Sequence, residues 1–303
     1  MTISQGLVVS SQSGFYTVET DHGHIVARLR GRLKKGRATG DIVALGDRVE
    51  VSHPGGGVEA MIESVEPRSR ALVRQDPRPN GLYEQVIVAN PDQALFVFAC
   101  ANPEPRLRML DRFLVVAEAQ QIPATVVANK VDVVGQAAAE EQFGHYAGLG
   151  YGLIYASAVT GQGVEELRQL LHGKLSVLAG PSGVGKSSLM NLVEPGLDLR
   201  VGEVQQSSGK GKHTTVERRL FKLAAGGYVA DTPGLKALAL WDIEPEELDG
   251  YFPELRAMIH DCQYRSCHHF DEPGCAVRAA VEVGDLHPAR YESYKLLRQG
   301  AKE

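Results

Sequence analysis

Residues 180–188 read Gly180, Pro181, Ser182, Gly183, Val184, Gly185, Lys186, Ser187 and Ser188, which satisfies the spacing GxxxxGK[ST]. That spacing serves the chemistry of phosphate. Glycines let successive N–H groups turn inward around an anion, Lys186 neutralises β and γ oxygens, and the Ser187 hydroxyl can ligate Mg²⁺. The run directly follows the apolar stretch LSVLA and precedes a helical pattern, the context the motif requires.

A second constellation narrows the class of nucleotide. Asn129, Lys130, Val131 and Asp132 follow the apolar stretch ATVVA, at the carboxyl end of an expected strand, where open α/β sheets bind ligands. A carboxylate at Asp132 accepts from the N1–H and exocyclic amino group of guanine, whereas adenine has an acceptor at N1 and no such amino group. Asn129 would hold the N7 side, and Lys130 would lay its stem over the base. Ser157 and Ala158 end the next expected strand, where a backbone N–H can reach guanine O6. Asp231, Thr232, Pro233 and Gly234 end another, which puts a carboxylate beside the metal and a glycine N–H at a γ-phosphate. Thr214 and Thr215, in the polar segment 207–215, are candidates for a switch threonine on Mg²⁺, in a loop ordered by GTP and released after hydrolysis.

The order of these motifs is unusual. In ordinary small GTPases the phosphate loop comes first; here NKVD and Ser157-Ala158 precede it, so the chain reads as circularly permuted. Leu235 follows the DTPG turn, where Ras-like enzymes carry the glutamine that orients water, and leucine cannot do that. His213 is the internal candidate for the missing polar group. Weak turnover alone and strong stimulation by a partner are expected.

Cys262, Cys267 and Cys275 fall within fourteen residues, with His268 and His269 between the last two. Three thiolates and one imidazole make a tetrahedral set suited to structural Zn²⁺, and either histidine can complete it. Cys100, alone in an apolar run, reads as a buried core residue. Six cations in ten residues, Arg28, Arg30, Arg32, Lys34, Lys35 and Arg37, suit phosphate contacts with RNA. Phe15 and Tyr16 are candidate stacking residues, one of them expected in a core.

These groups need a multidomain scaffold, and 303 residues exceed what one core usually organises. Residues 1–70 hold five short β-type runs broken by turns, as in a small barrel; the OB-fold is the natural candidate at this size, and strand count alone leaves an SH3-like barrel open. Residues 71–240 alternate apolar strands (Gln93 to Cys100, Ala124 to Ala128, Gly152 to Tyr155, Leu175 to Ala179, Tyr228 to Ala230) with helices (Leu107 to Gln121, Val164 to Leu171, Lys186 to Val193). Residues 241–303 carry 7 cations against 13 anions and read as acidic helices around the cysteines. The fold class expected is therefore multidomain α/β: N-terminal β-barrel, permuted P-loop GTPase domain, and a mainly α zinc-binding domain. Apolar runs such as Ala94 to Ala101 are too short to cross a bilayer, and MTISQGLVV lacks the marks of a signal peptide, so a cytoplasmic monomer is expected. The net charge of -5 excludes a molecule drawn as a whole to nucleic acid.

With NKVD, GPSGVGKSS, KGKHTT and DTPG in permuted order and CQYRSCHHFDEPGC after them, the chain resembles the RsgA family of ribosome small-subunit-dependent GTPases over essentially its whole length. The resemblance implies an OB-fold, a permuted GTPase and a zinc domain. It implies binding to the small (30S) ribosomal subunit and 16S rRNA late in maturation, with GTP hydrolysed to GDP under stimulation by that subunit. It also places the zinc ligands on Cys262, Cys267, His269 and Cys275, and nucleotide contacts on 129–132 and 180–188. A P-loop ATPase and a non-catalytic RNA scaffold are the competing classes.

Overall fold

The computed structural model describes residues 2–34, 41–53, 59–75, 84–197, 218–231 and 243–300. In the first third, apolar residues alternate with polar ones and fill one small barrel. Its strands are β1 (Thr2–Gln12), β2 (Phe15–Thr20), β3 (Gly23–Leu29), β4 (Arg48–His53) and β5 (Ala60–Val65). They pair in the order β1-β2-β3-β5-β4, and β4 returns to β1, so no barrel edge is left open. Every ladder is antiparallel except β3 with β5. Val8, Val18, Ala27, Val49, Val51 and Ile62 point inward and are buried, as the expected OB-fold requires.

An unanticipated antiparallel ribbon follows, β6 (Ala71–Gln75) with β7 (Glu84–Ala89). It leads into a sheet whose remaining strands are β8 (Gln93–Ala99), β9 (Ala124–Asn129), β10 (Gly152–Ala156), β11 (Leu175–Ala179), β12 (Arg218–Lys222) and β13 (Tyr228–Asp231). The order is β10-β9-β8-β11-β13-β12, parallel except for β12. β8 is buried at every position because helices cover both faces. On one face Phe96 and Phe98 pack on Phe113 of helix Leu107–Ala119, with ring centroids 5.4 and 6.0 Å apart. On the other, Leu95, Val97 and Leu178 meet Leu167, Leu171, Leu189 and Met190 of helices Val164–Leu171 and Lys186–Val193. β12 also pairs antiparallel with β1, at Ser10↔Arg219 and Ser11↔Arg218, so barrel and central sheet form one continuous surface of strands.

The C-terminal region is built from short helices, including Pro245–Tyr251, Pro253–Arg256, Ala276–Val283 and Pro288–Arg298. Their core of Leu248, Phe252, Leu255, Val277, Leu286, Tyr294 and Leu297 includes Val115, which belongs to helix Leu107–Ala119 of the central domain. Among the described residues, no helix is long and apolar enough to cross a membrane.

Candidate nucleotide site and candidate metal centre

Permuting the motifs along the chain leaves them together in space, because the sheet order, not the chain order, decides which loops meet. β11 lies at the middle of the sheet and delivers the phosphate loop at its carboxyl end. Gly180 follows at φ +148°, and a Cβ there would stand 2.1 Å from the Val97 carbonyl oxygen of β8, a position only glycine can hold. Gly185, at φ +94°, caps the helix Lys186–Val193, whose first turn carries Lys186, Ser187 and Ser188. Its N–H groups and dipole make that end favourable for an anion. The Lys186 ammonium donates to the carbonyls of Gly180 and Pro181 at 2.9 and 2.8 Å, so it lies over the mouth of the loop.

The expected base-reading segment meets this loop directly. Asn129, the last residue of β9 and only 1% exposed, donates from Nδ2 to the carbonyl of Val184 at 2.7 Å. Its Oδ1 is buried without a donor among the described residues. Lys130, in the left-handed conformation at φ +66°, donates to the carbonyl of Gly183 at 2.8 Å and to that of Asn102. Val131 and Asp132 open the short helix Val131–Val134. Asp132 accepts at Oδ1 from the hydroxyl of Ser157 at 2.5 Å. That hydroxyl in turn accepts from the N–H groups of Val159 and Thr160, so the loop carrying Ser157 and Ala158 fixes the Asp132 carboxylate. Burial, with Asp132 nearby, pushes the Cys100 thiol up to about 11, in keeping with its inert core position.

β13 is parallel to β11, with Asp231 in register with Leu178, which sets the start of the DTPG turn beside the phosphate loop. His213, Thr214, Thr215 and Gly234 lie outside the described residues. The loop Ala101–Arg106 reaches the site through the Asn102 carbonyl, and no motif marks it in the sequence. Only its place after a fully buried strand, opposite NKVD, offers a signal.

The second site lies in the C-terminal region. One ligand atom from each of Cys262, Cys267, His269 and Cys275 falls within 4.8 Å of every other. His269 Nδ1 stands 3.5 Å from the Cys262 sulfur and 3.4 Å from the Cys275 sulfur. Tetrahedral Zn²⁺ with Zn–S of ~2.3 Å and Zn–N of ~2.1 Å puts nitrogen and sulfur ~3.6 Å apart, so the donor set fits that ion. His269, not His268, takes the inner position. Its ring is 1% exposed, and its Nε2 meets the Asp249 carboxylate at 3.2 Å, the outer partner that orients metal-binding imidazoles. His268 is 55% exposed and faces Glu272 instead. The Glu272 carboxylate accepts from the backbone N–H groups of His268, Phe270 and Asp271 and closes the knuckle. Burial opposes its ionisation, yet those N–H donors prevail and hold its carboxyl down at about 2. Asp249 carries no spacing signal in the sequence.

On the barrel, the expected cationic run is largely matched by acids. Arg28 pairs with Glu59 at 2.9 Å, and Arg30 and Arg32 both engage Glu63. Lys35 and Arg37 lie outside the described residues, as does the Lys34 side chain. Phe15 is 38% exposed, with the Arg28 guanidinium 4.3 Å over its ring, whereas Tyr16 packs against the core.

Comparison with known proteins gives the family. The RsgA GTPase family matches residues 65–241 and the RsgA N-terminal domain matches residues 5–60. This chain belongs to the RsgA GTPase family. It is 45% identical over 300 residues to a protein of Gemmatimonas aurantiaca named small ribosomal subunit biogenesis GTPase RsgA, covering 98% of this chain and 97% of the relative. A Moorella thermoacetica protein of the same name is 44% identical over 297 residues, covering 96% of this chain and 94% of the relative. Among solved structures, YjeQ from Thermotoga maritima superposes with a TM-score of 0.80 at 37% identity, covering 99% of each chain. YloQ, described as a circularly permuted GTPase, superposes with a TM-score of 0.73 at 31% identity, over 99% of this chain and 95% of its own. The chain is therefore a P-loop enzyme that hydrolyses GTP, and its reordered motifs are the permutation of that fold.

Proposed function

We propose that this chain binds the small ribosomal subunit and its 16S rRNA late in subunit maturation, and that the subunit stimulates its hydrolysis of GTP to GDP and phosphate. The names of its relatives support the partner. The observation that carries the nucleotide reading is the bond from Asn129 to Val184, which ties the guanine-reading segment to the phosphate loop. In this reading Asn129, Lys130, Val131 and Asp132 hold the base, with Ser157 and Ala158 closing its O6 side. Gly180 to Ser188 cradle the phosphates, with Lys186 on the β and γ oxygens. Mg²⁺, when bound, supplies charge neutralisation between those oxygens, and Ser187 with one of Thr214 and Thr215 is positioned in sequence to hold it. Asp231 and Gly234 serve the γ-phosphate, and His213 is the internal candidate for orienting water.

Cys262, Cys267, His269 and Cys275 hold one structural Zn²⁺, which contributes folding energy to a region with little core of its own. Residues 1–70, 71–240 and 241–303 act as barrel, GTPase and zinc-binding units of a cytoplasmic monomer. The test is GTP hydrolysis with and without purified small subunits, beside cosedimentation with GDP and with a nonhydrolysable GTP analogue. Stimulation by subunits and nucleotide-dependent cosedimentation are expected. Equal turnover in both conditions would refute the ribosomal reading.

A further inference from the structure

Arg290 is a charged side chain 1% exposed, on helix Pro288–Arg298 of the cysteine region. Its Nη1 donates to Asp111 Oδ1 at 2.6 Å, across 179 residues, and Nε and Nη2 donate to the two oxygens of Glu254 at 2.6 and 3.2 Å. Asp111, itself 1% exposed, also accepts from the Tyr146 hydroxyl at 2.7 Å. The guanidinium stacks 4.5 Å from the Phe252 ring centroid. A buried ion set of this kind fixes geometry more than it adds stability, and removing one member leaves the others unpaired at high cost. It fastens the cysteine region to helix Leu107–Ala119, whose Val115 already lies in that region's core.

The same helix begins where the loop Ala101–Arg106 ends, and that loop presents the Asn102 carbonyl to Lys130. Lys130 in turn bonds Gly183 of the phosphate loop. A rigid helix thus joins a buried clamp at one side to the base-reading lysine at the other. We propose that Arg290 is a positioning residue for the guanine end of the nucleotide site, acting through Asp111, helix Leu107–Ala119 and the Asn102–Lys130 contact. A load on the cysteine region then changes how tightly nucleotide is held, not the chemical step. This rests on the reading of Asn129 to Asp132 as the guanine contacts.

The first experiment needs no substitution. Amide hydrogen exchange of the zinc-loaded full-length protein, with and without GDP, is expected to show added protection in 107–119 and 288–298. Protection confined to 100–106, 129–132 and 180–188 overturns the proposal. The second compares Arg290→Lys and the neutral set Asp111→Asn, Glu254→Gln, Arg290→Met with the parent, each checked for zinc content and cooperative melting. GDP dissociation is expected to quicken about tenfold and KM for GTP to rise, with kcat at saturating GTP unchanged. Folded variants with parental GDP dissociation overturn the inference. Failure of the parent to bind GDP overturns the guanine reading itself, which keeps the two failures apart.

Discussion

Asn129 and Val184, 55 residues apart in the chain, share a 2.7 Å hydrogen bond from the Asn129 Nδ2 to the Val184 carbonyl. The bond closes the gap between the loop after β9 and the loop after β11, which β8 separates in the sheet. Recognition of base and of phosphate are thereby one piece of structure, and a disturbance at either loop is felt at the other.

Gly185 is the sharpest probe of that junction. A Cβ there would stand 2.4 Å from Asn129 Nδ2, at a φ of +94° that side-chain-bearing residues adopt only with strain. Gly185→Ala is expected to weaken GDP binding by ~5- to 150-fold, from strain of ~1–3 kcal/mol, with little change in the melting of the barrel. Fluorescent-nucleotide titration checks the first outcome and differential scanning calorimetry the second.

Ser157 orients the Asp132 carboxylate through a hydroxyl bond of 2.5 Å. Ser157→Ala removes the bond that orients Asp132 and also the acceptor of the Val159 and Thr160 N–H groups; the Asp132 bond alone, ~1 kcal/mol net, is expected to weaken GDP binding about fivefold. Ser157→Thr keeps the hydroxyl but adds a methyl where Ser157 is wholly buried, so it too should bind less tightly than the parent. Isothermal titration calorimetry on the three proteins reads the series.

Lys186 holds its ammonium over the phosphate loop. Lys186→Ala is expected to lose ~10²-fold in affinity for GDP and GTP, since bonds to charged groups contribute ~1.5–3 kcal/mol each. Guanosine itself, which has no phosphate, should bind both proteins equally, and competition assays with the nucleoside measure that.

Metal removal separates the two halves of the molecule. Chelation, or Cys275→Ser, is expected to unfold much of 243–300 while the barrel keeps its structure, because among the described residues the barrel ladder closes on itself without any C-terminal strand. Zinc stoichiometry, with hydrogen exchange mapped by region, reads the result; loss of protection in 2–65 as well would contradict it.

Much of this was legible in the residues. Strand Leu175–Ala179 and helices Val164–Leu171 and Lys186–Val193 match the bounds expected from the sequence, since each is an unbroken apolar or periodic run. The metal set was legible by ligand type, and the choice of His269 over His268, left open by spacing and implied by the resemblance, rests in the structure on its distances to the Cys262 and Cys275 sulfurs, its burial and its Asp249 partner. Other features depend on contacts distant in sequence. The ribbon of β6 and β7 has no clear alternation, and the helices Gln136–Phe143 and His145–Gly148 are short and mixed in composition. Arg290, Asp111 and Glu254 read as ordinary surface charges until the fold buries them together. The acids that meet the arginines of the barrel's cationic run were not legible, because Glu59 and Glu63 lie well downstream in the chain and reach Arg28, Arg30 and Arg32 only through the pairing of β3 with β5.

The most direct measurement is calorimetric binding of GDP, ADP and xanthosine diphosphate to the parent and to Asp132→Asn. A carboxylate at 132 accepts from the two donors on guanine, whereas an amide can instead donate to the 2-oxo group of xanthine. The parent should bind GDP and not ADP, and the variant should lose GDP by ~10²-fold and gain xanthosine diphosphate. Equal binding of ADP and GDP by the parent, or undiminished GDP binding by Asp132→Asn, would contradict the assignment of one guanine nucleotide to the two loops.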